Sequence, residues 1–304
     1  MATSSQTHPS QTLTGGIFVL LAAVAFSSKA VMVKLAYGYR VDVETLLALR
    51  MFFSAPFYIV IAVWVYATGK SAHLNRRDAL AIVLLGVICG YLPMWFDFAG
   101  LKYISAGVER VILFLYPTMV IIISAVLLGT RIGKRELFAL VTSYIGVGMA
   151  AQAEVLTVGS APHAILGATL IFIAAFIYAG YLVASGEMIP RMGATAFTAY
   201  IMLVTSLTSA VHLALSPHHT TFSSLPPQVY MISLLMAVIA TVLPSFLLNA
   251  GIKRIGSSRA ALMGTIGPVS TILLAWIFLG EGVSALQLLG TGFVIVGVLA
   301  ISTE

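Results

Sequence analysis

LPMWFDFAGLKYISAGVERVILFLYPT, residues 92–118, has a counterpart in the same chain: LPSFLLNAGIKRIGSSRAALMGTIGPV, residues 243–269. A shift of 151 residues lays one on the other without a gap, carrying Pro93 onto Pro244, Gly100 onto Gly251, Lys102 onto Lys253, Ile104 onto Ile255 and Pro117 onto Pro268. The register continues past the quoted stretch, where Leu128-Gly129 falls on Leu279-Gly280 and Gly146 on Gly297. Self-similarity at one long offset marks a duplicated structural unit.

Working outward, each copy consists of apolar windows separated by short polar or turn-forming loops. The chain of 304 residues is 60% hydrophobic and only 9% charged, with a mean hydropathy of +1.04, so a water-facing surface cannot be covered. Ten windows are long enough to cross about 30 Å of hydrocarbon as helices. They lie near 15–36, 43–67, 78–100, 105–128, 134–151, 164–186, 193–215, 227–250, 257–280 and 284–302. With no water in the bilayer, the backbone must satisfy itself within helices, so the class is an all-α integral membrane protein.

Residues 1–14 carry no lysine or arginine and read as a disordered cytoplasmic tail rather than a cleaved signal. Residues 15–151 form the first five-helix repeat and 164–302 the second. Five is odd, so the second repeat must enter the membrane the other way round. Loop charge tests this, because basic residues favour the cytoplasmic side. With both termini cytoplasmic, the inner loops hold Lys70, Arg76 and Arg77; Arg131, Lys134 and Arg135; Arg191; and Lys253, Arg254 and Arg259. The outer loops offer little beyond Arg40 and Lys102. The basic 131–135 loop corresponds to the turn with Glu281, and the Lys70–Arg77 loop to one with His218 and His219. Inverted repeats around a central cavity are an architecture of alternating access, in which two bundles rock about a site near the midplane.

The net charge of +6 is accounted for by these loops, so nucleic acid is not an expected partner; the lipid bilayer and a small molecule are. Cys89 is the single cysteine, which excludes an intrachain disulfide. No phosphate-binding loop or HExxH occurs, and the six histidines do not cluster, so no cofactor, metal or ATP-driven step is expected. The glycines of the last helices follow no strand and read as packing positions.

The chemistry sits where the copies differ. Lys29, Arg50, Asp97, Glu109 and Arg110 lie inside apolar windows, within about 5–10 Å of the outer end of their helices at 1.5 Å per residue. Their counterparts Gly180, Ile201, Leu248, Ala260 and Ala261 are all uncharged. Charges in hydrocarbon are costly alone and pair across helices when they can, so an outer polar network is expected. It would close the outer gate, or present Lys29 to a substrate carboxylate and Asp97 or Glu109 to an ammonium, and it would also suit a proton as coupled partner. Snorkelling to the interface is the competing reading for Lys29 and Arg50.

Pro93, Pro117, Pro244 and Pro268 free the carbonyls of Cys89, Leu113, Ala240 and Gly264, giving matched hinge points in the two halves. Tyr91, Trp95, Phe114, Tyr178 and Tyr181 supply flat apolar faces for substrate, or else packing and interface-belt contacts.

The duplicated unit, the run PVSTILLAWIFLGEGVSALQLLGTGFVIVGVLA from Pro268, and its Leu279-Gly280-Glu281 turn resemble the ten-helix EamA family of the drug/metabolite transporter superfamily. The resemblance spans nearly the whole chain and is closest in character to YddG-type amino-acid exporters. Leu128-Gly129-Thr130 departs from it by lacking the acid. It implies a basket of ten helices in a cell (inner) membrane, with helices one, three, four, six, eight and nine around the cavity. The implied activity is export of small amphipathic metabolites, amino acids first, with multidrug or nucleobase-type export on the same scaffold as the alternative. An intramembrane enzyme is the alternative of a different class.

Overall fold

The computed structural model describes residues 9–68, 75–129, 131–158, 161–217, 220–255, 263–264 and 266–302. Residues 1–8 of the expected tail, Lys70, Thr130, His218, His219 and Arg259 lie outside the described residues. All regular structure among those described is helical. Among the described residues, eight helices are long and apolar enough to cross a membrane, and two shorter apolar ones, Ile266–Leu279 and Ala285–Ala300, occupy the last two expected windows.

The first helix, α1, runs Pro9–Tyr37, starting ahead of the position where the apolar pattern begins. α2 (Val43–Ala67) starts at Asp42, whose carboxylate accepts the Thr45 N–H at 2.8 Å. Satisfying an orphan N–H in this way fixes where a helix begins. α3 (Arg76–Leu84) and α4 (Leu92–Gly100) are joined through a π-helical stretch, Leu85–Tyr91, into one span. α5 (Ala106–Leu113) and α6 (Tyr116–Leu128) form a second broken span, interrupted at Phe114 and Leu115. α7 (Lys134–Val158) closes the first half. The second comprises α8 (Ala161–Met192), α9 (Ala194–Leu215), α10 (Pro227–Ala237) joined by the π-helical Val238–Val242 to α11 (Leu243–Ile255), then α12 (Ile266–Leu279) and α13 (Ala285–Ser302).

The breaks follow the prolines. Pro93 and Pro244 have no N–H to offer the carbonyl four residues back, and in both places the turn widens. Leu92 N–H reaches back five residues to Val87, and Leu243 N–H five residues to Val238. Those two bonds are 151 positions apart. So are the left-handed glycines that end α6 and follow α12, Gly129 at φ 69° and Gly280 at φ 65°. Pro117 and Pro268 both sit in the first turn of α6 and α12.

Packing between the halves is reciprocal. α7 crosses α13 so closely that a Cβ on Gly146 would stand 2.5 Å from the Gly290 carbonyl, and one on Gly297 would stand 2.8 Å from that of Ala139. The offset maps Gly146 to Gly297 and Ala139 to Gly290, so one contact is the other with partners exchanged. α4 meets α8 through Gly100 and Gly167, while α11 meets α1 through Gly251 and Gly15. Ser27 Oγ on α1 donates to the Gly267 carbonyl at 3.0 Å, and the residues at the equivalent positions, Tyr178 and Tyr116, have ring centroids 5.3 Å apart. Small residues allow these close approaches, the main source of helix association in lipid.

Candidate functional site

Between the helices lies a cavity of about 630 Å³. α1 gives it one face, Val19, Ala23, Phe26 and Lys29, at the three- and four-residue spacing of a helix. Of the described lining residues, none lies beyond Lys29 on α1 or Asp97 on α4, and none precedes Arg50 on α2 or Arg110 on α5. Leu248, Gly264 and Val298 lie towards its other end. The hollow therefore occupies the half of the bundle where α1 begins, and its blind end is ionic.

At that blind end Lys29 Nζ is held by two carboxylates, hydrogen-bonding Asp97 Oδ2 and, at 3.0 Å, Glu109 Oε1. Glu109 is fully buried and Asp97 nearly so. Among the described residues, Asp97 Oδ1 and Glu109 Oε2 have no hydrogen-bond donor. Lys29 is thus directed inward against its partners and does not snorkel. Arg50 does the same by other means: it is 5% exposed, its Nε donates to Thr241 Oγ1 at 3.0 Å, and its guanidinium lies 5.5 Å from the Phe98 ring centroid. Arg110 borders the cavity without an ion pair among the described residues, and its Nε is buried without a partner.

The aromatic expectations divide. Phe114 and Tyr178 line the cavity, in a chain of ring contacts that runs Phe114, Tyr116, Tyr178, Tyr181 and Phe197. Tyr91 and Trp95 are turned to a separate polar cluster, where Tyr91 hydrogen-bonds His212 and Trp95 Nε1 donates to Glu44 Oε1 at 2.9 Å. Pro93 and Pro117 border the cavity; Pro244 and Pro268 are not among its lining residues. Tyr58, Tyr116, Thr241 and Ser245 also line it and were not singled out from sequence. Tyr116 carried a usable signal, standing next to Pro117 and opposite Gly267 in the offset.

Beyond the blind end, a second set of contacts clamps the start of α5. Glu281 accepts the Ala106 N–H at 3.0 Å, with Lys34 Nζ 3.9 Å away. Glu154 accepts both the N–H and the Oγ–H of Ser105 at 2.6 Å. A carboxylate at a helix N-terminus meets unpaired N–H groups and a favourable dipole. Burial pushes the Glu281 carboxyl above its ordinary range, opposed by the Ala106 N–H, Lys34 and the Gly107 N–H. Among the described residues, no three His, Cys, Asp or Glu side chains converge to hold a metal.

The EamA-like transporter family matches this sequence twice, over residues 13–152 and 165–303. A Bacillus subtilis protein named "Uncharacterized transporter YcbK" is 31% identical, over 98% of this chain and 96% of its own length. A Salmonella typhimurium protein named "Uncharacterized inner membrane transporter YicL" is 26% identical, over 95% of each chain. A protein crystal structure at 18% identity, covering 94% of this chain and 96% of its own, superposes with a TM-score of 0.66 and shows the same fold.

Proposed function

Because the chain belongs to the EamA-like transporter family, we propose that it is a secondary transporter moving small amphipathic metabolites, amino acids foremost, out of the cytoplasm by alternating access. Membership makes it a multi-pass membrane transport protein rather than an enzyme. Substrate and mechanism are our reading, and one observation carries it. The cavity of about 630 Å³ is confined to one half of the bundle and ends on Lys29, Asp97 and Arg110. A pore would line both halves.

In this reading the N-terminal side of α1 is cytoplasmic, so the structure is inward-facing. The Lys29–Asp97–Glu109 cluster and the Glu281 clamp form the closed outer gate. Its opening requires those pairs to exchange partners, which a charged substrate or a proton would drive. The reciprocal contacts of the two halves support a second repeat that is an inverted copy of the first. The four prolines would serve as the matched flexion points.

Counterflow in proteoliposomes tests the function: an internal unlabelled amino acid should drive uptake of its labelled form, with no chemical change to it. Absence of exchange across a broad amino-acid panel would remove the amino-acid assignment. Tags in the 131–135 loop and at the Glu281 turn should be reached from opposite faces, and labelling from one face would refute the inverted arrangement.

A further inference from the structure

Of the three cations at the blind end, two are engaged. Lys29 is shared by two carboxylates, and Arg50 is bonded to Thr241 and laid against Phe98. Arg110 has neither, although it lines the same cavity. A Cβ on Gly267 would stand 2.9 Å from Arg110 Nη2 and 3.4 Å from Nε, so the guanidinium lies in a slot beside Gly267 and would have to shift if that residue carried a side chain. Phe114, Tyr116 and Tyr178 border the cavity beside it, and the Arg110 charge acts on both tyrosines.

Arg110 is half-buried and faces the cavity, with the Glu109 carboxylate near enough to feel its charge but not ion-paired to it, so its N–H donors remain available to an anionic group that enters. A guanidinium is a planar fork of N–H donors that matches a carboxylate in a bidentate manner. Three basic side chains, Lys29, Arg50 and Arg110, stand here against two acidic ones, Asp97 and Glu109, and a guanidinium without an ion pair among the described residues suits a monoanionic group better than an organic cation or a dianion. The neighbouring rings offer a flat apolar surface to the rest of the ligand.

We propose that Arg110 is the carboxylate-recognition residue of the cavity and that the molecules carried are carboxylates joined to an apolar or aromatic body, which lies against Tyr116 and Tyr178. Lys29, fully countered by Asp97 and Glu109, belongs to the gate and not to substrate recognition. This inference rests on the transport reading above and narrows it to one charged handle.

Binding to the full chain in detergent tests it, with 3-phenylpropionate, phenylalanine, 2-phenylethylamine and phenyl phosphate as probes, followed by titration calorimetry. The two carboxylates should bind, and the amine and the phosphate should bind at least tenfold more weakly. Arg110→Gln should weaken the carboxylates by about tenfold to a hundredfold, the range of a lost charge-assisted pair. Arg110→Lys should fall between. Gly267→Ala keeps the charge but fills the slot, and it should weaken 3-phenylpropionate as well, which keeps the test valid if Arg110→Gln does not fold. Equal binding of acid and amine, carboxylate affinity unchanged in these variants, or no binding of any probe overturns the assignment. Arg110-dependent binding without counterflow overturns the transport reading and leaves the site standing.

Discussion

Lys29 Nζ lies 3.0 Å from Glu109 Oε1 across the interface between α1 and α5, and the same ammonium bonds Asp97 on α4. One cation therefore ties together three helices whose apolar residues Ala30, Phe98 and Ala106 belong to a single core cluster beside it. Its removal exposes two carboxylates to each other, whereas removal of one acid leaves a simple pair.

Lys29→Met should therefore be the most damaging single change in the cluster, costing about 3–5 kcal/mol because it strands buried charge. Adding Asp97→Asn and Glu109→Gln to Lys29→Met should recover much of that loss. Thermal unfolding of the purified variants in detergent measures both, and a triple variant no better than the single would refute the assignment of the loss to stranded charge.

Cys89 borders the cavity and reports on its sidedness without any engineering. An impermeant maleimide should label it from the face bearing the 131–135 loop. Glu281→Ala, which leaves the Ala106 N–H without its acceptor, should raise labelling from the opposite face severalfold. Labelling that stays confined to the first face in Glu281→Ala would show that the clamp does not gate access.

Asp42 supplies the pH dependence. Burial raises its carboxyl pKa, but bonds from Thr220 and Thr45 outweigh burial and hold it below its ordinary 3.8. A carboxylate with a depressed folded pKa stabilises the fold above its unfolded value and loses that contribution as pH falls through the folded one. Melting temperature should therefore drop below about pH 4 more steeply in the native chain than in Asp42→Asn. At pH 7 Asp42→Ala, which removes the acceptor of the Thr45 N–H altogether, should be less stable by about 1 kcal/mol, the usual scale of a helix cap.

Gly146→Val should weaken the α7–α13 crossing by about 1–3 kcal/mol, since its Cβ would meet the Gly290 carbonyl. Gly148 has open space around it, so Gly148→Val should change the melting temperature little.

Particular residues show how far sequence carries. The pairing of Lys29 with Asp97 and Glu109 was legible because ionisable groups in hydrocarbon have few alternatives, so position along the span nearly dictates the partner. Tyr91 and Trp95 were not separable from Tyr178 on the same grounds. A tyrosine suits cavity, interface and packing alike, and the π-helical turn before Pro93 decides which way α4 points its faces. Arg110 looked like one more member of a neutralised network. Only the slot at Gly267 and the missing partner on Nε set it apart, and both are properties of tertiary packing. Helix ends moved outward, to Pro9 in α1 and to Val158 in α7, because polar helical turns extend past the apolar window that defines a span.

The wide turn at Leu85–Tyr91 also takes up one residue more than an α-helix would need for the same rotation. Excising one residue from it would restore an ordinary α-helix while leaving the faces downstream close to their present direction, because the wide turn spreads its extra residue over the same rotation. Asp97 would still face Lys29, so the chain tolerates the loss of one residue here better than in the regular α-helical turns on either side, where it would turn the carboxylate by about 100°.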